Sequence, residues 1–153
     1  MDAYRLLPGD PRLAEVLRLI RDSFAFMDGR IDPPSSMHRL TLEEMERQAG
    51  QAEVWALGDP VAACVVLTPK PDCLYLGKLA VNGRLRRAGL ARRLVDLAVS
   101  RARALDLPQV ELQVRVELVE NQAAFARLGF AETGRSAHEG YDRPTSITMR
   151  RRA

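Results

Sequence analysis

Between Leu74 and Leu105 the chain reads LYLGKLAVNGRLRRAGLARRLVDLAVSRARAL: an apolar run, an arginine-flanked glycine turn, then an amphipathic stretch. Leu74, Leu76, Leu79 and Val81, with Tyr75 among them, have the make-up of a buried strand, whereas Leu90, Leu94, Leu97, Ala98 and Leu105 return at helical spacing. The turn at Gly89 is therefore a strand-to-helix junction, which commits this part of the chain to an α/β arrangement. A helix start leaves backbone N–H groups unpaired and carries partial positive charge, and a glycine there leaves an anion room to approach. Arg84, Arg86, Arg87, Arg92 and Arg93 add mobile positive charge around the same turn. The combination suits a phosphate.

The other elements follow from spacing and punctuation. Residues 4–7 form a first strand, after which Asp10 as N-cap and Pro11 at the first helical position open a helix with Leu13, Val16, Leu17, Ile20 and Phe24 toward the core. The segment DGRIDPPSSMHR then excludes regular structure over most of its length and forms a loop or lid, anchored by Phe24, Phe26 and Met27. Thr41 and Glu44 make a capping box for a short helix that Gly50 closes. Residues 52–57, 61–67 and 73–81 read as an antiparallel meander, and residues 110–116 as a strand beyond the long helix. A short helix over residues 121–128 ends at Gly129, and two strands cover residues 130–136 and 145–150. The predicted order is βααβββαβαββ.

With 153 residues and 46% hydrophobic content, the chain is expected to form one domain over residues 1–153. It has no run of about 18 apolar residues, and MDAYRLLPGD lacks a charged-then-apolar export pattern, so a cytoplasmic protein with no membrane partner is expected. Cys64 and Cys73 sit in apolar runs without CxxC or histidine spacing and read as core thiols, with no metal site implied. The net charge of +3 admits nucleic acid, but no helix-turn-helix or RNA-binding pattern accompanies the arginines, so no nucleic-acid partner is expected.

The hexapeptide Arg86-Arg87-Ala88-Gly89-Leu90-Ala91 fits Arg/Gln-x-x-Gly-x-Gly/Ala, by which GNAT N-acetyltransferases bind the pyrophosphate of acetyl-coenzyme A (acetyl-CoA), and here the chain resembles that family. Phe125-Ala126-Arg127-Leu128-Gly129-Phe130 is similar to the family's Tyr-x-x-x-Gly-Phe, and GRIDPPSS, LYLGKLAV, RVELVEN and HEGYDRPTSITM resemble a bacterial subgroup of mostly unassigned substrate. The resemblance covers essentially the whole chain. It implies an α/β mixed sheet of the acyl-CoA N-acyltransferase fold, acetyl-CoA as donor, and transfer to a primary amine of a small molecule or peptide by direct attack in a ternary complex. The alternative is an acyl-CoA-binding sensor with little or no catalysis.

The resemblance further implies roles for particular residues. The backbone of Leu79, Ala80 and Val81 would meet the pantetheine arm and thioester carbonyl, and the amides of Arg87, Ala88, Gly89, Leu90 and Ala91, with Arg86, would hold the pyrophosphate. Asn121 would lie beside the arm; it is also a natural N-cap for the helix that follows. Phe125 stands where many members carry a tyrosine that protonates the departing thiolate, leaving water, Tyr141 or no group at all as acid. Glu117 and Glu120 follow the strand near the meeting point of the two substrates and are candidate bases. Arg115 pairs either with these glutamates or with a substrate carboxylate. Arg30, Ser35, His38 and His138 lie on loops bordering the acceptor, where polarity suits a small zwitterion or anion; Arg30 and Asp32 are alternatively a pair of their own. The final strands offer edges through which a homodimer can form.

Overall fold

The computed structural model describes residues 2–85 and 89–153. Along the chain lie β1 (Ala3–Leu6), α1 (Leu13–Ala25), a 3-10 turn at Ser36–Arg39, α2 (Leu42–Gln51), β2 (Glu53–Leu57), β3 (Ala63–Pro69) and β4 (Leu74–Val81). After a second 3-10 turn at Gly83–Leu85 come α3 (Leu90–Ala104), β5 (Gln109–Arg115), α4 (Val119–Arg127), β6 (Ala131–Ser136) and β7 (Ser146–Arg152). Helices and strands follow the predicted order. The strands form one seven-stranded sheet in the order β1-β2-β3-β4-β5-β7-β6. Neighbours run antiparallel except β4 and β5, which are parallel.

Alternation along the strands divides the core into two layers. Val54, Ala56, Cys64 and Val66 pack with Leu13, Val16 and Ile20 of α1 and Met45 of α2. Leu57, Val65, Leu67, Leu112 and Ile147 face the opposite way, onto Leu94, Val95 and Ala98 of α3. Beyond the hydrophobic contact, α3 is fastened to the sheet by an ion pair. Arg101 donates to both carboxylate oxygens of Glu53 at 2.8 Å, and the Trp55 indole N–H donates to Oε1 at 2.8 Å.

The register of β4 breaks once. Cys64 pairs with Ala80 and Val66 with Gly77, so Lys78 and Leu79 together oppose the single residue Val65. This is a β-bulge, and Lys78 occupies it with φ of 51°, in the left-handed region that most side chains avoid. The extra residue reverses the alternation. Leu74 and Leu76 belong to the α3 layer, and past the bulge it is Leu79 and Val81 that pack there while Ala80 joins α1 and α2.

Three local expectations need correction. Asp10 does not cap α1: Pro11 and Arg12 make a turn first, in which the Leu13 N–H donates to the Asp10 carbonyl and the Asp10 carboxylate accepts the Arg12 N–H at 2.9 Å. Gly50 does not close α2, because the helix runs to Gln51 and the Ala52 N–H still reaches the Gln48 carbonyl at 2.7 Å. Asn121 lies inside α4, whose N-cap is Leu118. The Thr41 cap is present, its Oγ1 accepting the Glu44 N–H at 3.2 Å. Among the described residues no helix is long and apolar enough to cross a membrane.

Replacing Arg101 by Met leaves the Glu53 carboxylate buried without its partner and is expected to destabilise the protein by about 3 kcal/mol near pH 7. The ion pair holds the Glu53 carboxyl below the usual range, so its stabilisation is present above the ordinary carboxyl value and is lost as pH falls through the depressed one. Urea denaturation should therefore show wild type and variant converging as pH falls below about 4.

Candidate functional site

The parallel ladder between β4 and β5 is short. Only Leu74 with Val110 and Tyr75 with Glu111 are in register, although β4 continues to Val81 and β5 to Arg115. Past Tyr75, ahead of the bulge, the two strands part, and a cavity of about 370 Å³ opens in the seam. Its walls are Leu76, Lys78 and Leu79 from β4, Leu112, Val114 and Arg115 from β5, and Asn121 and Phe125 from α4. Phe24, Met27, Ser35 and Met37, from the end of α1 and the lid, cover the remaining side, with His138 at the edge.

β4 leads through the 3-10 turn to the start of α3. Gly89, the N-cap, has φ of 75°, and a Cβ built on it would meet nothing within 4 Å. Glycine is thus required by backbone conformation, and the space beside it is open. The first turn of α3 contains no acidic residue, and among the described residues no side chain caps it; Arg92 is exposed nearby. The amides of such a helix start are donors that fit a pyrophosphate. Arg86, Arg87 and Ala88 lie outside the described residues.

The lid is strapped to the chain beyond β5 by polar contacts. Arg115 donates to the Pro33 carbonyl at 2.6 Å and to the Pro34 carbonyl at 3.4 Å. Glu117 Oε2 accepts the Asp32 N–H at 3.0 Å, while its Oε1 is buried without a partner among the described residues. Arg30 is paired with Glu120, and Asp32 accepts from the Tyr141 hydroxyl at 2.7 Å and from Arg143 at 3.1 Å. Arg30 and Asp32 are therefore each committed elsewhere rather than to one another.

The structure brings only some of the expected residues to the cavity. Leu79, Asn121, Phe125, Ser35, Arg115 and His138 line it, whereas Glu117, Glu120, Tyr141, Arg30 and His38 do not. Ala80 is buried on the α1–α2 side, and Val81 is half-buried against the α3 layer. The Arg30 contact holds the Glu120 carboxyl below its ordinary value, and the bond to Asp32 holds the Tyr141 hydroxyl above its own. Both shifts move the group away from proton exchange near neutrality. Burial lowers Arg115, a cation already given to the two proline carbonyls. Phe125 packs edge-on against Phe130 with centroids 5.9 Å apart. Phe24 and Met27 anchor the lid as expected, but Phe26 is 59% exposed.

Two residues gain importance from the fold. Lys78 reads in sequence as one polar position in an apolar strand, and the bulge places it in the cavity wall, where burial lowers its pKa against the opposing pull of Glu44. His138 is also lowered, first by burial and then by Arg115. Thr145 Oγ1, itself buried, accepts the His138 backbone N–H at 2.9 Å, meets Nδ1 of the ring, and donates to the Ser136 carbonyl at 3.4 Å. In the tautomer where the hydroxyl proton goes to Ser136, Nδ1 carries the imidazole hydrogen and Nε2 is left as an acceptor.

Residues 13–130 match the acetyltransferase (GNAT) family. The chain belongs to that family. Its members are acyl transferases acting on amines of small molecules or proteins. The fold is shared with an acetyltransferase from Streptococcus agalactiae (TM-score 0.75, 16% identity, 99% of this chain and 98% of that one). It is shared too with an IAA acetyltransferase from Bacillus cereus (TM-score 0.69, 15% identity, 99% of each chain). A third is the ribosomal-protein-S18-alanine N-acetyltransferase from Escherichia coli (TM-score 0.70, 19% identity, 99% of this chain and 92% of that one). No curated protein sequence gives a significant match.

Both cysteines are fully buried, and burial pushes the Cys64 thiol up to about 12. Iodoacetamide at pH 8 is expected to label neither in the native protein and both after unfolding, read by intact mass. Rapid labelling of either in the folded chain would show that thiol to be accessible and reactive rather than part of the core.

Proposed function

We propose that the protein transfers acetyl from acetyl-CoA to a primary amine of a small molecule or peptide, by direct attack in a ternary complex. The observation that carries this reading is the open β4–β5 seam together with the glycine N-cap of α3 at Gly89. In this reading the turn 86–91 holds the pyrophosphate through the amides of Arg87, Ala88, Gly89, Leu90 and Ala91, with Arg86 neutralising it. The backbone of Leu79, Ala80 and Val81 holds the pantetheine arm and points donors at the thioester carbonyl, where charge develops during attack. Asn121 and Phe125 flank the arm. Bound there, acetyl-CoA supplies an acetyl group already activated as a thioester.

The chain's own task is then to hold an amine against that carbonyl and remove its proton. His138 Nε2 is the acceptor best placed, since the ring lines the cavity, is fixed through Thr145 and is kept neutral at neutral pH. Glu117 is the second acceptor, through its unpartnered Oε1, and Glu120 stays an ion-paired rim group. Tyr141 fastens the lid through Asp32 rather than protonating the leaving group. A thiolate whose conjugate acid has a pKa near 8.5 departs without that help. Phe125 in the wall keeps a second reading, an acyl-CoA sensor, in play; acetyl transfer to any amine above background would exclude it.

Two experiments test the reading. Calorimetric titration of acetyl-CoA should show binding by wild type and a loss of about two orders of magnitude in Gly89→Glu, from lost charge-assisted hydrogen bonds and added repulsion. Gly89→Asn, which tolerates positive φ without charge, should lose much less. No binding by folded wild type would sink the proposal. For His138, neutral imidazole is the active form, so activity should rise with pH along a limb below the ordinary histidine value, about 6.5. His138→Gln should remove that limb and lower kcat about a hundredfold; an unchanged pH profile would return the role to Glu117.

A further inference from the structure

Lys78 is a cation with no carboxylate in ion-pair contact among the described residues. The chain has only one other lysine, Lys70, which sits 3.1 Å from Glu111. Arg30, Arg101, Arg143 and Arg150 likewise each meet a carboxylate. The Lys78 side chain makes neither a hydrogen bond nor an ion pair with any described residue, although it is half-buried in the cavity wall. Among the described residues no aspartate or glutamate lines the cavity, and of the two lysine or arginine side chains they place there, Arg115 is already bound to the Pro33 and Pro34 carbonyls. A half-buried charge left unpaired is costly, so its retention in the wall marks a place for an anion.

That anion is not the pyrophosphate of the donor. Lys78 precedes Val81 by three strand residues, about 10 Å of chain, and the Gly83–Leu85 turn lies beyond that before Gly89. The bulge also separates it from the thioester-facing side. Leu79 and Val81 pack toward α3, whereas the Lys78 ammonium feels Glu44 of α2, and the α1 and lid residues Phe24, Ser35 and Met37 complete the cavity around it. The lysine thus belongs to the acceptor's half of the cleft. A single ammonium balances a monoanion, which favours a carboxylate over a phosphate dianion.

Building on the acetyl-transfer reading, we propose that Lys78 anchors a carboxylate of the acceptor. The substrate is an amine bearing a free carboxylate: an amino acid or a small derivative of one. The anchor holds one end of the molecule while the amine reaches the seam between β4 and β5. Acceptors with several ammonium groups and no anion, such as polyamines, meet an unpaired positive charge and are disfavoured.

The test uses matched pairs, with glycine, leucine, phenylalanine and glutamine each set against its carboxamide, and coenzyme A release as readout. At least one amino acid should exceed its amide in kcat/KM by about tenfold or more, the worth of a charge-assisted bond. Lys78→Met should raise KM for the acid and bring the ratio toward one, and Lys78→Arg should restore part of it. Lys78→Gly, which suits the positive φ, guards against misfolding of the Met variant. A second readout needs no turnover. In protein labelled with ¹⁵N-lysine, the side-chain resonance absent from a Lys78→Arg sample should shift with acids and not with amides. Equal use of acid and amide, discrimination that survives Lys78→Met, or a still Lys78 resonance with every acid would each overturn the proposal. A still resonance in protein that binds acetyl-CoA counts against this anchor alone; failure to bind acetyl-CoA counts against the transferase reading, and the resonance still decides the anchor.

Discussion

Everything at the cleft depends on one incomplete parallel ladder. β4 and β5 begin in register and part after two residue pairs, so the middle of the sheet is open at one end. Such a gap exposes backbone donors and acceptors and needs support from outside the ladder. Here β3 holds β4 from the other side, and helices cover both faces. The bulge at Lys78 redirects β4 without breaking its pairing with β3. Cleft and rigidity therefore have a common origin.

The charges are sorted around that opening. Asp32, Glu117 and Glu120 sit at the rim, bound to lid backbone or to partners, while the cavity itself carries Lys78, Arg115 and His138. Asp32 and Glu120 face enough water that their ion pairs stabilise little individually. Their value is geometric, since they join the lid, the start of α4 and the loop before β7 at one end of the sheet. Inside, burial favours the uncharged form of each cation, which suits proton removal at His138 and is only partly opposed at Lys78 by Glu44.

Most of the architecture was legible because it rests on short-range signals. Strand alternation, the Thr41 cap and the strand–glycine–helix passage around Gly89 each declare themselves within a few residues. The site was less legible, because it is made of contacts between distant segments. Arg30 meets Glu120 across 90 residues and Tyr141 meets Asp32 across 109, and no periodicity foretells either. Lys78 was hidden differently: within LYLGKLAV it reads as the polar side of a half-buried strand, and only the bulge, invisible to alternation, turns it into the cleft. Asn121 was misread because Asn is a good cap, but α4 starts two residues earlier and Asn121 falls within its first turn.

The junction at the end of β5 links wall and lid through a single residue. Gln122 of α4 donates its side-chain amide to the carbonyls of Arg115 and Val116, at 3.1 and 3.0 Å, while the Arg115 guanidinium holds the carbonyls of Pro33 and Pro34. Arg115 is thus a hinge pin, its backbone belonging to the wall and its side chain to the roof. Lifting the roof would draw that fork off its carbonyls and break the contacts that Arg30 and Asp32 make to the same end of the sheet.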